Sequence, residues 1–293
     1  MRIFVTGATG GIGSTVLPEL LAAGHEVLGL ARSDASAAAL TAAGAEVQRG
    51  ELADLKSLRV AATQSDGVIH LAFSNDFTNL EEGIAQETGA IETLCSALEG
   101  SGKPLVIASG TPIVPGRAST EQDPTVTAGP VGGRGRASLA ALAYCERGVR
   151  VALVRLPRSV HAAGGPYGFA SMLVAAARRT GVSGYVGDGA QRWPAVHRLD
   201  AARLFRLVLE QGEPGAIAHA VGDEGDAMRT IADTIGRELR LPIEEVPAEN
   251  FGVLGMLFAI DQPATSALTR TRFAWEPTHP SLLDDLQAGN YPG

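Results

Sequence analysis

Three features of the 293-residue sequence predict an α/β protein, a doubly wound parallel sheet carrying a smaller C-terminal substrate lobe. Short β-branched runs alternate with longer Ala/Leu-rich amphipathic stretches as far as residue 156, the pattern of a sheet with helices on both faces. The strand-like runs are apolar throughout instead of alternating, as strands covered on both sides are. Glycines cluster at the first strand-to-helix turn, where such sheets receive ligands.

The elements follow in order. Residues 3–6 read as a strand, and residues 13–23 as a helix with Leu17, Leu20 and Leu21 on one face. A strand over 26–30 and a helix over 36–43 come next. Strands at 45–48, 67–71 and 104–108 are separated by helical stretches near 54–64 and 83–100, and 149–156 is one more strand. Residues 157–190 are rich in Gly and Pro around a helix at 168–180. A helix at 200–211 and a strand at 216–221 return to the main sheet, residues 230–239 are helical, and the remainder mixes loops with short helices. The expected division is a core of residues 1–160 with return elements near 196–222, and a lobe made from 161–195 and 223–293.

Composition narrows the function. A hydrophobic share of 45% excludes a disordered chain. A net charge of −8 argues against nucleic-acid binding, which needs a basic surface. Two cysteines exclude a disulfide framework and a four-cysteine zinc site. The six histidines lack H-x-x-x-H spacing, so no metal is expected. Neither a G-x-S-x-G elbow nor a G-x-x-x-x-G-K-[ST] loop occurs. The apolar run 251–260 is about half the ~20 residues a membrane span requires. The N-terminal residues lack the pattern of a signal peptide, so the expected location is the cytoplasm, with no membrane association.

The first strand runs into Thr6-Gly7-Ala8-Thr9-Gly10-Gly11-Ile12-Gly13, and a helix begins there. A G-x-x-G-x-x-G turn lets backbone approach a pyrophosphate, and the helix N-terminus offers free N–H groups to it. Gly7, Thr9, Gly10, Gly11, Ile12 and Gly13 are therefore the expected dinucleotide cradle. The second strand ends in Leu30-Ala31-Arg32-Ser33-Asp34. An acidic residue there selects a ribose hydroxyl, whereas an arginine accepts a 2′-phosphate. Arg32 with the Ser33 hydroxyl predicts NADP, with NAD as the alternative; the competing reading is an Arg32–Asp34 surface pair.

With these residues in place the sequence resembles the short-chain dehydrogenase/reductase superfamily, in its extended, epimerase-like branch. The loop 6–13 resembles that family's cofactor loop, and Gly50-Glu51-Leu52-Ala53-Asp54 its turn beside the adenine. Val68-Ile69-His70-Leu71-Ala72 resembles the fourth strand, near the nicotinamide ribose, and Val106-Ile107-Ala108-Ser109-Gly110-Thr111 the strand ending in the catalytic serine. Val154-Arg155-Leu156-Pro157 is similar to the strand with the nicotinamide-flanking proline. Residues 187–200 resemble the branch's glycine–aspartate–glycine, arginine and histidine–x–x–aspartate block, and residues 268–277 its C-terminal signature. The resemblance implies a Rossmann fold, cofactor contacts at Leu52, Leu71, Ala72 and Pro157, and a substrate contact at Arg192; beside these, the Thr111 hydroxyl can donate to a developing oxyanion and Trp193 can present an aromatic wall to an apolar substrate.

One departure concerns the chemistry. The family's Tyr-x-x-x-Lys dyad has no counterpart on the helix after the serine strand. The chain's only lysines are Lys56 and Lys103, and residues 129–138 hold neither tyrosine nor lysine. Ser109 remains as a donor to a substrate oxygen. For the proton the candidates are His161, because imidazole suits acid–base work near neutrality, Tyr167 on a glycine-flanked loop, and Tyr144 on the helix after the serine strand, where packing against the sheet is the competing reading; an ordered water is a further competitor. Arg134 and Arg136 are candidate replacements for the lysine charge. His197 and Asp200 read as a structural pair, and the apolar segment 251–258 as pocket lining or a contact in a homodimer. The expected activity is an NADP(H)-dependent reduction of a carbonyl or related group on a small, apolar substrate. The alternatives are a cofactor-binding sensor without catalysis, and a nucleotide-sugar epimerase or dehydratase.

Overall fold

The computed structural model describes residues 1–74, 79–129, 132–162, 168–289 and 291. Seven strands form the main sheet: β1 Arg2–Thr6, β2 Glu26–Ala31, β3 Glu46–Arg49, β4 Gly67–His70, β5 Pro104–Gly110, β6 Arg150–Leu156 and, later in the chain, β10 Ala216–His219. Their order is β3-β2-β1-β4-β5-β6-β10, and every pairing is parallel. This is the predicted doubly wound sheet.

Because successive side chains leave a strand on opposite faces, the inner strands feed two cores, while the edge strand β3 is only half-buried. Ile3, Val5, Ile69, Val106 and Val154 pack with α1 (Gly13–Ala22) and α7 (Arg198–Gln211). Phe4, Val68, Leu105, Ile107 and Leu153 pack with α3 (Leu55–Thr63), α4 (Leu80–Leu98) and α5 (Gly132–Leu142). Completely buried strands explain the unbroken apolar runs. The remaining helix on the sheet, α2 (Asp34–Ala42), begins two residues earlier than the apolar spacing indicates, because Ser33 caps it in a reciprocal capping box with Ser36.

A second layer is built from β7 (Ser159–His161), β9 (Arg192–His197) and β11 (Asp223–Ala227), in the order β11-β9-β7. A short parallel pair joins β8 (Ser183–Tyr185) to β12 (Ile243–Glu245). With α6 (Gly168–Thr180), α8 (Met228–Leu239), α9 (Gly255–Phe258) and α11 (Leu282–Gln287), these surround a separate core centred on Trp193, Phe258, Ile231 and Leu282. Residues 159 and 160 thus pair with the lobe sheet, although the apolar pattern places them at the end of the main core. The tail also returns: Phe273, which ends α10 (Ala267–Phe273), and Trp275 are buried on the main sheet beside α7. Trp275 Nε1 donates to the Asp200 carbonyl at 3.0 Å.

Candidate functional site

A cavity of about 700 Å³ opens at the carboxyl ends of β1, β2 and β4. Here β1 lies between β2 and β4, so the connections from β1 and β4 diverge and leave a crevice, the usual ligand position in such sheets. Its wall contains Gly7, Thr9, Gly10, Gly11, Ile12 and Gly13 after β1. Arg32 and Ser33 come from the end of β2, Leu52 from the β3 connection, and Leu71 and Ala72 from the β4 connection. These are the expected positions. The structure adds Leu30 and Arg198 from motif-bearing segments, and Ser36, Phe73, Gln86 and Val160, which carry no local motif and are assembled by packing.

The first turn is shaped for close approach of an anion. Gly7 has φ +70°, and a Cβ there would sit 2.8 Å from the Ala72 nitrogen; a Cβ on Gly13 would sit 2.0 Å from the Gly7 carbonyl oxygen. Gly10 N–H donates to that oxygen at 2.9 Å. No side chain caps α1 at Ile12. Among the described residues the N–H groups of Gly11, Ile12 and Gly13 meet no backbone carbonyl. A helix end with uncapped donors and its positive dipole on the cavity fits a pyrophosphate.

At the far end of the cavity, Arg32 is exposed and has no hydrogen-bond or ion-pair partner among the described residues. The alternative Arg32–Asp34 pair does not form, because Asp34 is held by Arg49 at 2.8 Å, and Arg49 Nη1 also donates to the Ser33 carbonyl at 2.6 Å. The Ser33 hydroxyl accepts from Ser36 N–H at 3.2 Å as the cap of α2.

Beside β4, the Thr6 hydroxyl accepts from Ala72 N–H at 3.3 Å and lies 2.9 Å from His70 Nδ1. Complete burial, with a smaller contribution from the Arg134 cation, pushes the His70 pKa down to about 3. The segment carrying Arg134 and Arg136, the candidate replacements for the lysine charge, begins α5. Arg134 makes a two-point bond to the buried Glu87, 2.7 Å on each arm, and stacks 4.0 Å over the ring of Phe73 in the cavity wall. Arg136 donates to the Thr127 carbonyl at 2.7 Å. Arg134 therefore acts through Phe73 and Glu87 and is not a free cation in the lysine's place. Ser109, half-buried at the end of β5, faces the Ser138 hydroxyl of α5 at 3.5 Å. The motif reasoning had no signal for Ser138.

Several expected roles are corrected. His161 is buried with Nδ1 donating to Asp285 at 2.6 Å. Val160 lines the cavity, so strand alternation turns its neighbour His161 to the opposite side, into the lobe. Trp193 is fully buried between Phe169 and Phe258 and offers no wall to a substrate. Arg192 grips Asp261 through Nε and Nη2 at 3.1 and 2.8 Å. Thr111 is buried, its carbonyl and hydroxyl accepting from Gln262 Nε2 at 2.6 and 3.3 Å. Pro157 is buried where β6 leaves the sheet, outside the cavity wall. Tyr167 lies outside the described residues.

Asp200 does not pair with His197. It accepts from the Thr278 and His279 N–H groups and from His279 Nδ1 at 2.9–3.1 Å, while His197 Nδ1 accepts from Leu199 N–H at the start of α7. Burial pushes the His197 pKa down to about 4. Of the apolar segment 251–258, Leu254 and Phe258 belong to the lobe core, and Met256 is largely exposed. No helix among the described residues is long and apolar enough to cross a membrane.

Comparison with known proteins agrees with this fold. An uncharacterised protein of Schizosaccharomyces pombe is 41% identical over 99% of this chain and all of its own length. One of Saccharomyces cerevisiae is 42% identical over 99% of both chains. The fold is similar to that of a dTDP-glucose 4,6-dehydratase from Streptomyces venezuelae, solved with NAD bound. The TM-score is 0.79 at 21% identity, covering 98% of this chain and 95% of that one. The model of the NAD dependent epimerase/dehydratase family matches residues 3–221, and the chain belongs to that family.

Proposed function

We propose that this protein is an NADP(H)-dependent oxidoreductase that reduces a carbonyl or related group on a small organic molecule. The observation that carries the reading is the unpaired Arg32 at the cavity mouth, freed because Arg49 takes Asp34. A guanidinium there suits a 2′-phosphate. The uncapped amides of Gly11, Ile12 and Gly13 would hold the pyrophosphate, with Leu30 and Leu52 on the adenosine side. Phe73 and Val160 would shape the opposite end.

When bound, the nicotinamide supplies the hydride. The chain's own contribution is positioning and a hydrogen bond. Ser109 would donate to the substrate oxygen, with Ser138 behind it to fix the hydroxyl. Orientation supplies much of a rate enhancement, whereas a general acid adds a further ~10²–10⁴-fold. Replacing the dyad by a serine and water predicts slow but measurable turnover.

The test is a titration of intrinsic fluorescence with NADPH and NADH, joined to a scan of aldehydes, ketones and imines. NADPH is expected to bind at least tenfold tighter, and Arg32→Ala to remove most of that preference while leaving NADH binding unchanged. Equal affinity for the two cofactors in the wild type would refute the 2′-phosphate assignment. Tight binding without turnover on any substrate would leave a cofactor sensor, the reading that the missing dyad favours.

A further inference from the structure

Several arginines of this molecule are matched by carboxylates, while the fully buried Arg155 is met by the Asp123 carbonyl and the Thr125 hydroxyl. Arg134 sits on Glu87, Arg192 on Asp261, Arg147 on Glu99, and Arg206 on both Glu19 and Glu210. Arg158 departs from that pattern. It follows Pro157 where β6 leaves the sheet, is mostly withdrawn from water, and meets no carboxylate among the described residues. Its Nη2 donates to the neutral Gln262 Oε1, its guanidinium lies 5.8 Å from the Trp193 ring centre, and its Nε is shielded from solvent without a partner. Desolvation, with no acid to oppose it, draws its pKa down to about 10. A buried cation is costly unless an anion and good hydrogen bonds compensate it.

The surroundings say where that anion belongs. Gln262 bridges Arg158 to Thr111 by donating to the Thr111 carbonyl and hydroxyl. Thr111 stands two residues beyond Ser109 at the end of β5, and its N–H donates to the Leu156 carbonyl of β6 at 3.0 Å. Val160, two residues after Arg158, forms part of the cavity wall. An uncompensated guanidinium therefore stands at the carboxyl ends of the same strands that carry Ser109, the proposed donor to the substrate oxygen.

We propose that Arg158 anchors an oxyanion of the substrate, a carboxylate or phosphate, at the carboxyl ends of β5 and β6 with Gln262 orienting the guanidinium. The proposal rests on the oxidoreductase reading for its choice of carbonyl substrates. It replaces the expected apolar substrate with an oxo acid or oxo phosphate. Arginine suits either anion because its planar fork can bond two oxygens.

Calorimetric titration of the full-length protein, with and without NADPH, tests the anchor using three probes: 4-oxopentanoate, its methyl ester and dihydroxyacetone phosphate. At least one anion is expected to bind tenfold or more tightly than the ester, and the tighter anion identifies which oxyanion is taken. Arg158→Gln should abolish that margin, and Arg158→Lys should keep part of it, with NADPH affinity unchanged in both. Equal binding of acid and ester by the wild type overturns the proposal, as does undiminished anion binding in Arg158→Gln, or no binding of either anion. Should Arg158→Gln fold poorly, the wild-type comparison and Arg158→Lys still decide. Anion binding through Arg158 in a protein that binds no NADPH would retain the anchor and remove the oxidoreductase reading.

Discussion

Arg32 and Arg158 show how one side chain acquires meaning from its neighbours' partners. Arg32 is legible in the sequence as a 2′-phosphate ligand, but its availability depends on Arg49, on the next strand, capturing Asp34. His161 illustrates the reverse. Its residue type suits proton transfer, yet an odd–even shift along β7 sends it to Asp285 while Val160 takes the cavity. Trp193 follows the same rule on β9, packing among lobe aromatics. Glu87 is the clearest residue-level target. Glu87→Leu would leave Arg134 without its anion and free the ring of Phe73. A fully buried pair broken in this way costs about 3–5 kcal/mol; Arg134 keeps some access to water, so about 2 kcal/mol is expected. Urea denaturation checks the stability loss, and a parallel titration should show weaker NADPH binding.

Helix α5 carries the main lesson at the scale of the element. Its glycines serve close packing. A Cβ at Gly135 would lie 1.9 Å from the Val126 carbonyl oxygen, and one at Gly133 would lie 2.5 Å from the Ile84 side chain. Reinstating a lysine in this helix should therefore fail at Gly135. Gly135→Lys is expected to lower the melting temperature by several degrees and give no gain in turnover, and Gly135→Ala should already destabilise. Thermal melts of both variants check this; an unchanged melting temperature would show that the 125–127 segment yields. The β1–α1 turn is different, because Gly7 and Gly13 approach ligand-facing backbone, and the motif spacing reports that need directly.

Across the whole molecule, buried histidines set the response to acid. Burial lowers the folded-state pKa of His70 to about 3, and of His197 and His219 to about 4. Between those values and the ordinary 6.5 the unfolded chain binds more protons, so stability rises with pH through that window. Asp226, raised to about 6 by burial and Asp223, acts in the opposite direction from about pH 4 to 6. Asp223, raised by burial, acts in the same direction as Asp226, and the three histidines outnumber the two carboxylates. The urea midpoint is expected to be higher at pH 7 than at pH 5, with a smaller difference in His70→Gln. A midpoint equal or higher at pH 5 would contradict this account.

The doubly wound sheet, the glycine cradle and the arginine at the end of β2 are written locally, since apolar runs, turn glycines and strand-end residues act within a few positions along the chain. The family blocks 6–13, 50–54 and 106–111 are of this kind. The lobe's pairing of β7 with β9, the return of Trp275 to the main sheet and the Arg134–Glu87 bond join residues far apart in sequence. No local periodicity encodes such contacts. The chemistry of the site falls between the two. The loss of the Tyr-x-x-x-Lys dyad is plain in the sequence, whereas the fates of His161, Trp193 and Arg158 follow from which face each side chain takes and which charges surround it. Those are properties of packing in three dimensions.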